Sequence, residues 1–229
     1  MIEVHGIRAV VTDIEGTTSS LAFVKDILFP YARRALPDFV RGQQAQLTDI
    51  AGEMAAIVGK PRLDSQEMID LLLQWMAEDR KITPLKTLQG MVWKTGYETG
   101  ELQSHLYEDA ARELRKWHAD GLRLYVYSSG SIAAQKLLFA HTPYGDLLPL
   151  FSGYFDTTTG PKLESGSYRA IAATLELEPR TILFLSDHAG EIQAATAAGL
   201  QTVLLARERL EASATFARNF ADISIEEFP

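Results

Sequence analysis

Four short apolar runs limit what this chain can become: IRAVVTDI from Ile7, LRLYVYSSG from Leu122, TILFLSD from Thr181 and QTVLLA from Gln201. They are rich in Val, Ile, Leu, Tyr and Phe, and nearly continuous instead of strictly alternating. A strand reads this way when both its faces are buried, as happens when helices cover a parallel sheet on each side. The intervening stretches agree. YEDAARELRKWHADG precedes the second run, ESGSYRAIAATLELEP the third and AGEIQAATAAGL the fourth, each with helical spacing. Helix stops stand at Gly121, Pro179 and Gly199. Strands alternating with helices predict an α/β fold built on a doubly wound, mainly parallel sheet.

The segment from Leu21 to Ser104 breaks that rhythm. It carries helical patterns (FVKDILFPYARRAL, QAQLTDIAGEMAAIVG, DSQEMIDLLLQWMAEDR, LKTLQGMVWKTGYETG), punctuated by Pro30, Pro37, Pro61 and Pro84, and no strand pattern. The expected organisation is therefore an α/β catalytic core from residues 1–20 and 105–229, with an all-helical module, 21–104, inserted directly after the first strand. The insertion begins immediately beyond an acidic loop, the position of a cap over an active site. Trp93 and Phe23 are expected to belong to the core of that module.

Composition excludes several classes. The absence of cysteine removes disulfides, thiolate metal sites and thiol catalysis together. The formal net charge is −8 and the 22 basic residues are dispersed, so no basic stripe for nucleic acid is present. No apolar run approaches the roughly 20 residues of a membrane helix. The N-terminal MIEVHGIRAVVTDIEG lacks the basic flank and apolar centre of an export signal, which makes the cytoplasm the expected location. The negative balance argues against polyanions, while a small phosphate ester can still be bound locally by a metal ion and a few donors.

Polar residues close three of the four runs: Asp13 with Glu15 the first, Ser128 with Ser129 the second, Asp187 the third. In an open α/β sheet the carboxyl edge is where ligands bind, so three chain-distant clusters should converge there. Two carboxylates at the mouth of a core repel each other unless a cation sits between them. Hard oxygen donors without His or Cys suit Mg²⁺, and Glu191 adds a further acid. A carboxylate in such a site can attack phosphorus in line and form an acyl phosphate. Glu15, two residues on and carried by a glycine turn, can protonate the leaving oxygen and then deprotonate the attacking water. Attack at carbon needs no such acid. Ser128 and Ser129 precede Gly130 and the helical SIAAQKLLFAH, where hydroxyls and free N–H groups suit a phosphate. Lys162 follows a Gly-Pro pair and is the best placed cation of the core half. His188 adjoins Asp187 but does not suit Mg²⁺ as a ligand, and a surface or supporting role is expected for it.

The order DIEGT, YSSG, Lys162, SDHAGE resembles the haloacid dehalogenase superfamily, whose first motif is Asp-x-Asp-x-Thr. Glu15 in place of the second Asp, LAFVKDILFPYA after it and KLLFAHTPYGDLLPLFSGYFDTTTGPKLESGSY later resemble one branch, the acireductone synthase family of enolase-phosphatases in methionine salvage. The resemblance implies Asp13 as nucleophile and Mg²⁺ ligand. It implies Glu15 as acid/base and metal ligand through at least its main-chain carbonyl. Ser128, Ser129 and Lys162 would bind the phosphate, and Asp187 would complete the metal site. It further implies one Mg²⁺ per subunit, a monomer, and 2,3-diketo-5-methylthiopentyl-1-phosphate as substrate, enolised and then dephosphorylated to the acireductone. The enolisation base is open among Glu15, a cap residue and metal-bound water. Phe23 is expected to meet the methylthio tail. Ser186 stands where the superfamily has Gly, and His188 where an aliphatic residue is expected.

Overall fold

The computed structural model describes residues 1–207 and 216–226; the expected core segment 105–229 thus runs in part outside the described residues. Among the described residues there are eight strands: β1 (Ile2–His5), β2 (Ala9–Thr12), β3 (Arg123–Tyr127), β4 (Phe151–Phe155), β5 (Ile182–Ser186), β6 (Gln201–Leu205), β7 (Phe216–Ala217) and β8 (Ile223–Glu226). The α-helices are α1 (Phe29–Gly42), α2 (Thr48–Ile57), α3 (Ser65–Ala77), α4 (Thr83–Glu98), α5 (Glu108–Ala119), α6 (Ile132–Ala140), α7 (Ser165–Leu175) and α8 (Ala189–Ala197). The chain divides into two compact units, Met1–Phe23 with Gln103–Pro229, and Val24–Leu102.

The first unit holds a parallel sheet in the order β4-β3-β2-β5-β6-β7, with β1 and β8 paired in a separate two-stranded parallel ribbon. Strand β2 is central and fully buried, with Val11 opposite Tyr125 on one side and Phe184 on the other. Its alternate residues serve two cores, as the period of two requires. Ala9 and Val11 join Tyr127, Tyr168, Ile171, Phe184 and Ala195 on the face of α7 and α8. Val10 joins Leu114, Trp117, Leu124, Leu183 and Phe220 on the face of α5. Each fully buried side chain of this size contributes about 1.5–3 kcal/mol. That double burial is why the runs read as continuous.

The helices of this unit end where the chemistry demands. Helix α5 carries Glu108 and Asp109 in its first turn and Lys116 and His118 in its last, matching the helix dipole. Gly121 and Gly199, at φ of +86° and +92°, supply the left-handed turns that return the chain to β3 and β6. The α6 cap is Ser131, whose Oγ accepts from the Ala134 amide, leaving Ser128 and Ser129 ahead of the helix.

The second unit is helical among its described residues. A π-helical turn, Phe23–Leu28, leads into α1. Helix α1 buries Tyr31, Ala32, Leu36 and Val40 and packs against α3 and α4. Asp64 and Glu67 form a capping box at the start of α3. A Cβ at Gly96 would lie 2.6 Å from the Tyr31 hydroxyl, so the close approach of α1 and α4 needs glycine there. Trp93 is half-buried, donates its indole N–H to the Leu28 carbonyl at 2.9 Å and meets Phe29 edge-on. Phe23, in contrast, is buried in the sheet-bearing unit, its ring 6.4 Å from that of His105.

Candidate active site

The carboxyl edge of the sheet brings β2, β3 and β5 to their ends side by side. The Asp13 amide extends the β2–β5 ladder by donating to the Leu185 carbonyl at 2.9 Å. Asp13 therefore leaves the sheet beside Ser186 and Asp187. The chain then turns sharply, with the amides of Thr17, Thr18 and Ser19 all donating to the Ile14 carbonyl. Gly16 permits this at φ +74°, and a Cβ there would fall 2.1 Å from Asp187 Oδ2. The first acidic loop and the third are thus packed to the limit of glycine. Thr17 Oγ1 accepts from the Asp187 amide at 3.0 Å and ties them together.

Lys162 enters from the loop before α7. Tyr168 donates to the Lys162 carbonyl and Ser167 to that of Pro161, both at 2.7 Å, and Tyr127 donates to that of Gly160 at 2.8 Å. Its ammonium lies 2.6 Å from Asp13 Oδ1 and 2.7 Å from Glu191 Oε2, with its side chain only 9% exposed. Glu191, in the first turn of α8, also accepts from the Ser186 hydroxyl at 2.8 Å. Ser186 thus uses the Oγ that a glycine would lack to hold Glu191 and to receive the His188 amide. His188 caps α8, its Nδ1 accepting from the Glu191 amide at 3.3 Å.

Charge in this cluster is unbalanced. Burial pushes the Asp13 carboxyl up to about 7; Lys162 pulls against that shift and Glu191 adds to it. Asp187 is also raised, by burial first and by Glu191 second. Burial works to lower the Lys162 ammonium, but Asp13 and Glu191 hold it above the usual lysine value. Three carboxylates around one ammonium are short of positive charge.

Ser128 is buried, and its amide extends the β3–β4 ladder to the Phe155 carbonyl at 3.2 Å. Its hydroxyl accepts from the Gly130 amide at 3.2 Å. Gln135 braces the turn from below, donating to the carbonyls of Gly130 and Phe155 at 2.8 and 2.9 Å. Ser129 is exposed on the same turn and Glu15 is half-buried, bridged to Ser19.

Asp13, Lys162 and Glu191 are thus in direct contact, with Asp187 beside Gly16 of the Asp13 loop. Ser128 and Ser129 stand at the neighbouring strand end. Sequence reading noted Glu191 only as an extra acid; its spacing of one helical turn from Asp187 was the available signal. Thr17 closes the DIEGT motif, but its link to the Asp187 amide is not legible there, and Arg207 carries no sequence signal, since these contacts join distant loops.

Among the described residues no three His, Cys, Asp or Glu side chains form a ready-made metal cluster. The donors are nevertheless all hard oxygens in a site short of positive charge. That chemistry fits a hard divalent cation, which takes one or two carboxylates and fills its remaining positions with main-chain carbonyl, water or substrate.

A family model described as haloacid dehalogenase-like hydrolase matches residues 7–199. The chain is 56% identical over 225 residues to "Enolase-phosphatase E1" of Pseudomonas aeruginosa (strain LESB58), covering 96% of this chain and 99% of that one. It is 54% identical over 204 residues to the protein of the same name from Methylococcus capsulatus, covering 88% and 90%. Among solved structures, the UTR4 protein of Saccharomyces cerevisiae superposes with a TM-score of 0.81 at 31% identity, covering 93% of this chain and 98% of that one. An L-2-haloacid dehalogenase from Xanthobacter autotrophicus shares the fold, with a TM-score of 0.53 at 22% identity over 90% of this chain and 80% of that one. The hydrolase family model and the enolase-phosphatase relatives imply a divalent metal for this chain. By these matches the chain belongs to the haloacid dehalogenase-like hydrolase family and, within it, to the family of the enolase-phosphatases E1.

Proposed function

We propose that this chain is a bifunctional enolase-phosphatase that converts 2,3-diketo-5-methylthiopentyl-1-phosphate to the acireductone 1,2-dihydroxy-3-keto-5-methylthiopentene and phosphate, in methionine salvage. The observation that carries the site reading is the Asp13–Lys162–Glu191 contact at the sheet's carboxyl edge, with a second acid, Glu15, two residues along the loop. Relatives above 50% identity carrying the enolase-phosphatase name support the substrate.

In this reading Asp13 attacks phosphorus and becomes an aspartyl phosphate, while Lys162 neutralises phosphoryl oxygens. Glu15 protonates the departing enol oxygen, then takes a proton from the water that cleaves the acyl phosphate. Ser128 and Ser129 donate to the phosphate from the end of β3. Asp13, Asp187 and the Glu15 main-chain carbonyl would hold one Mg²⁺ per subunit, which supplies the positive charge the acids lack and keeps Asp13 ionised at neutral pH. Glu191 orients Lys162. Enolisation comes first, by loss of a proton from the carbon that bears the phosphate ester, next to a carbonyl.

The inserted helical segment, 21–104 in the sequence reading, follows the Asp13–Glu15 loop directly, and that connectivity supports a cap role for it. Phe23 is assigned to the methylthio tail; Phe23→Ala with unchanged KM and kcat would remove it from that role. The enzyme is read as a cytoplasmic monomer. Among the described residues no helix is long and apolar enough to cross a membrane.

A two-channel assay on the diketo phosphate tests the whole reading. Phosphate release and the ultraviolet absorbance of the conjugated enediol should rise together, and only with Mg²⁺. Phosphate from simple esters but none from the diketo compound would leave a general phosphatase.

A further inference from the structure

Arg207 lies just beyond β6, on a strand for which neither the motifs nor the proposed chemistry assigns a functional residue. Its guanidinium is almost fully buried, 3.8 Å above the Tyr107 ring, and makes a two-pronged pair with Asp109, Nη1 to Oδ1 at 3.0 Å and Nη2 to Oδ2 at 3.1 Å. Asp109 is itself fixed by the Phe220 amide at 2.8 Å. A guanidinium is a rigid planar fork, so this pairing through both Nη atoms dictates where the Nε–H points. It points at the catalytic loop: Nε donates to the Thr17 carbonyl at 2.7 Å. Thr17 is the residue whose hydroxyl receives the Asp187 amide.

Gly16 and Asp187 also face a cavity of about 270 Å³, whose other walls include Leu21, Tyr107 and Arg207. That flank of the loop opens to a cleft, so directed hydrogen bonds contribute to holding it where side-chain contact is sparse. A buried ion pair is a costly way to fill space, and it is best explained by geometric specification.

We propose that Arg207 and Asp109 form a positioning pair that, through Thr17, sets the spacing between the Asp13 loop and Asp187 and so tunes the cation site those acids form. The inference rests on the reading of Asp13 and Asp187 as metal ligands. Two variants test it: Arg207→Lys, which keeps the charge but loses the fork, and Arg207→Gln with Asp109→Asn, which removes both charges and strands neither. Calorimetric titration with Mg²⁺ should show Kd raised about 10–100-fold in both, the usual cost of losing a residue that orients a ligand. Hydrogen exchange at Thr17, Thr18 and Asp187 should quicken in the same variants. Unchanged Kd and exchange, or a lowered Tm with unchanged Kd well below it, overturns the proposal.

Wild-type protein gives a reading that does not depend on a variant folding. Adding Mg²⁺ should slow exchange at the Phe220 amide, which donates to Asp109, together with the Asp13 loop, although Phe220 contributes no ligand. Protection confined to the loop overturns the coupling. Failure of the wild type to bind Mg²⁺ would count against the metal assignment itself, and the exchange rates of the two variants would then decide the positioning role.

Discussion

Lys162 Nζ lies 2.6 Å from Asp13 Oδ1, across 149 positions of chain. The contact joins the end of the central strand to a loop fixed by three hydroxyl-to-carbonyl hydrogen bonds, from Tyr127, Ser167 and Tyr168. It settles a charge question the sequence could only pose. Among the described residues the buried cation in contact with these acids is Lys162, bound by Asp13 and Glu191. One positive charge among Asp13, Asp187 and Glu191 leaves a deficit that a bound divalent cation would relieve and that an arriving phosphate ester would deepen.

If Asp13 is the nucleophile, Asp13→Asn removes the attacking oxygen with almost no change of volume. Phosphate release should fall by roughly 10⁴-fold or more, with the fold retained because Asn can still accept from Lys162. Steady-state phosphate release and circular dichroism check both halves. Turnover near that of the wild type would end the nucleophile assignment.

Glu15→Gln should impair both steps in which Glu15 carries a proton and stall the enzyme at, or before, the phospho-enzyme. The amide cannot take a proton from water, so breakdown of the acyl phosphate should slow by about 10²–10⁴-fold. A rapid-quench experiment should then find little or no steady-state turnover, with phospho-enzyme at no more than one per chain. Free turnover at the wild-type rate would exclude the acid/base role.

Much of this was readable in advance, for a specific reason. Strands β2, β3, β5 and β6 are flanked by helices on both faces or lie beside ones that are, so their apolar runs stand out. Strand β4, FSGYF, is interrupted by Ser152 and Gly153 and passes for a loop; a Cβ at Gly153 would press on the Tyr125 ring at 3.2 Å. The β1–β8 ribbon pairs two four-residue segments from opposite ends of the chain, and no local pattern announces such a partner. Among the site residues, those that close a strand were legible from the α/β edge rule. The Glu191–Lys162 contact was not, because it requires knowing that the first turn of α8 faces the loop before α7.

His105 carries a pH dependence of stability. Its Nδ1 accepts from the Ser20 amide at 3.0 Å and lies 3.3 Å from the Ser19 hydroxyl, an arrangement that needs Nδ1 unprotonated. Burial lowers its pKa, and the Arg207 charge lowers it further. The unfolded chain therefore binds this proton more readily than the native one, and stability is lost as pH falls through the ordinary histidine range. The melting temperature should drop more steeply between pH 7 and 5.5 in the wild type than in His105→Asn. Parallel profiles would show that His105 contributes nothing to the slope.

Gly16 tests the packing of the two acidic loops. At φ +74° an alanine costs about 1–2 kcal/mol in backbone strain alone. Its Cβ, 2.1 Å from Asp187 Oδ2 and 2.5 Å from Asp187 Cγ, would then force the carboxylate aside. The two effects have different signatures. Strain lowers Tm and leaves the site intact in whatever fraction is folded. Displacement of Asp187 weakens the cation site in the folded protein, by about 10–100-fold in Mg²⁺ affinity if Asp187 is a ligand. Gly16→Ala should therefore show both a lower Tm and a raised Mg²⁺ requirement for phosphate release at a temperature where it is fully folded. A lowered Tm with an unchanged Mg²⁺ requirement would mean that Asp187 has moved without loss, and so is not a ligand.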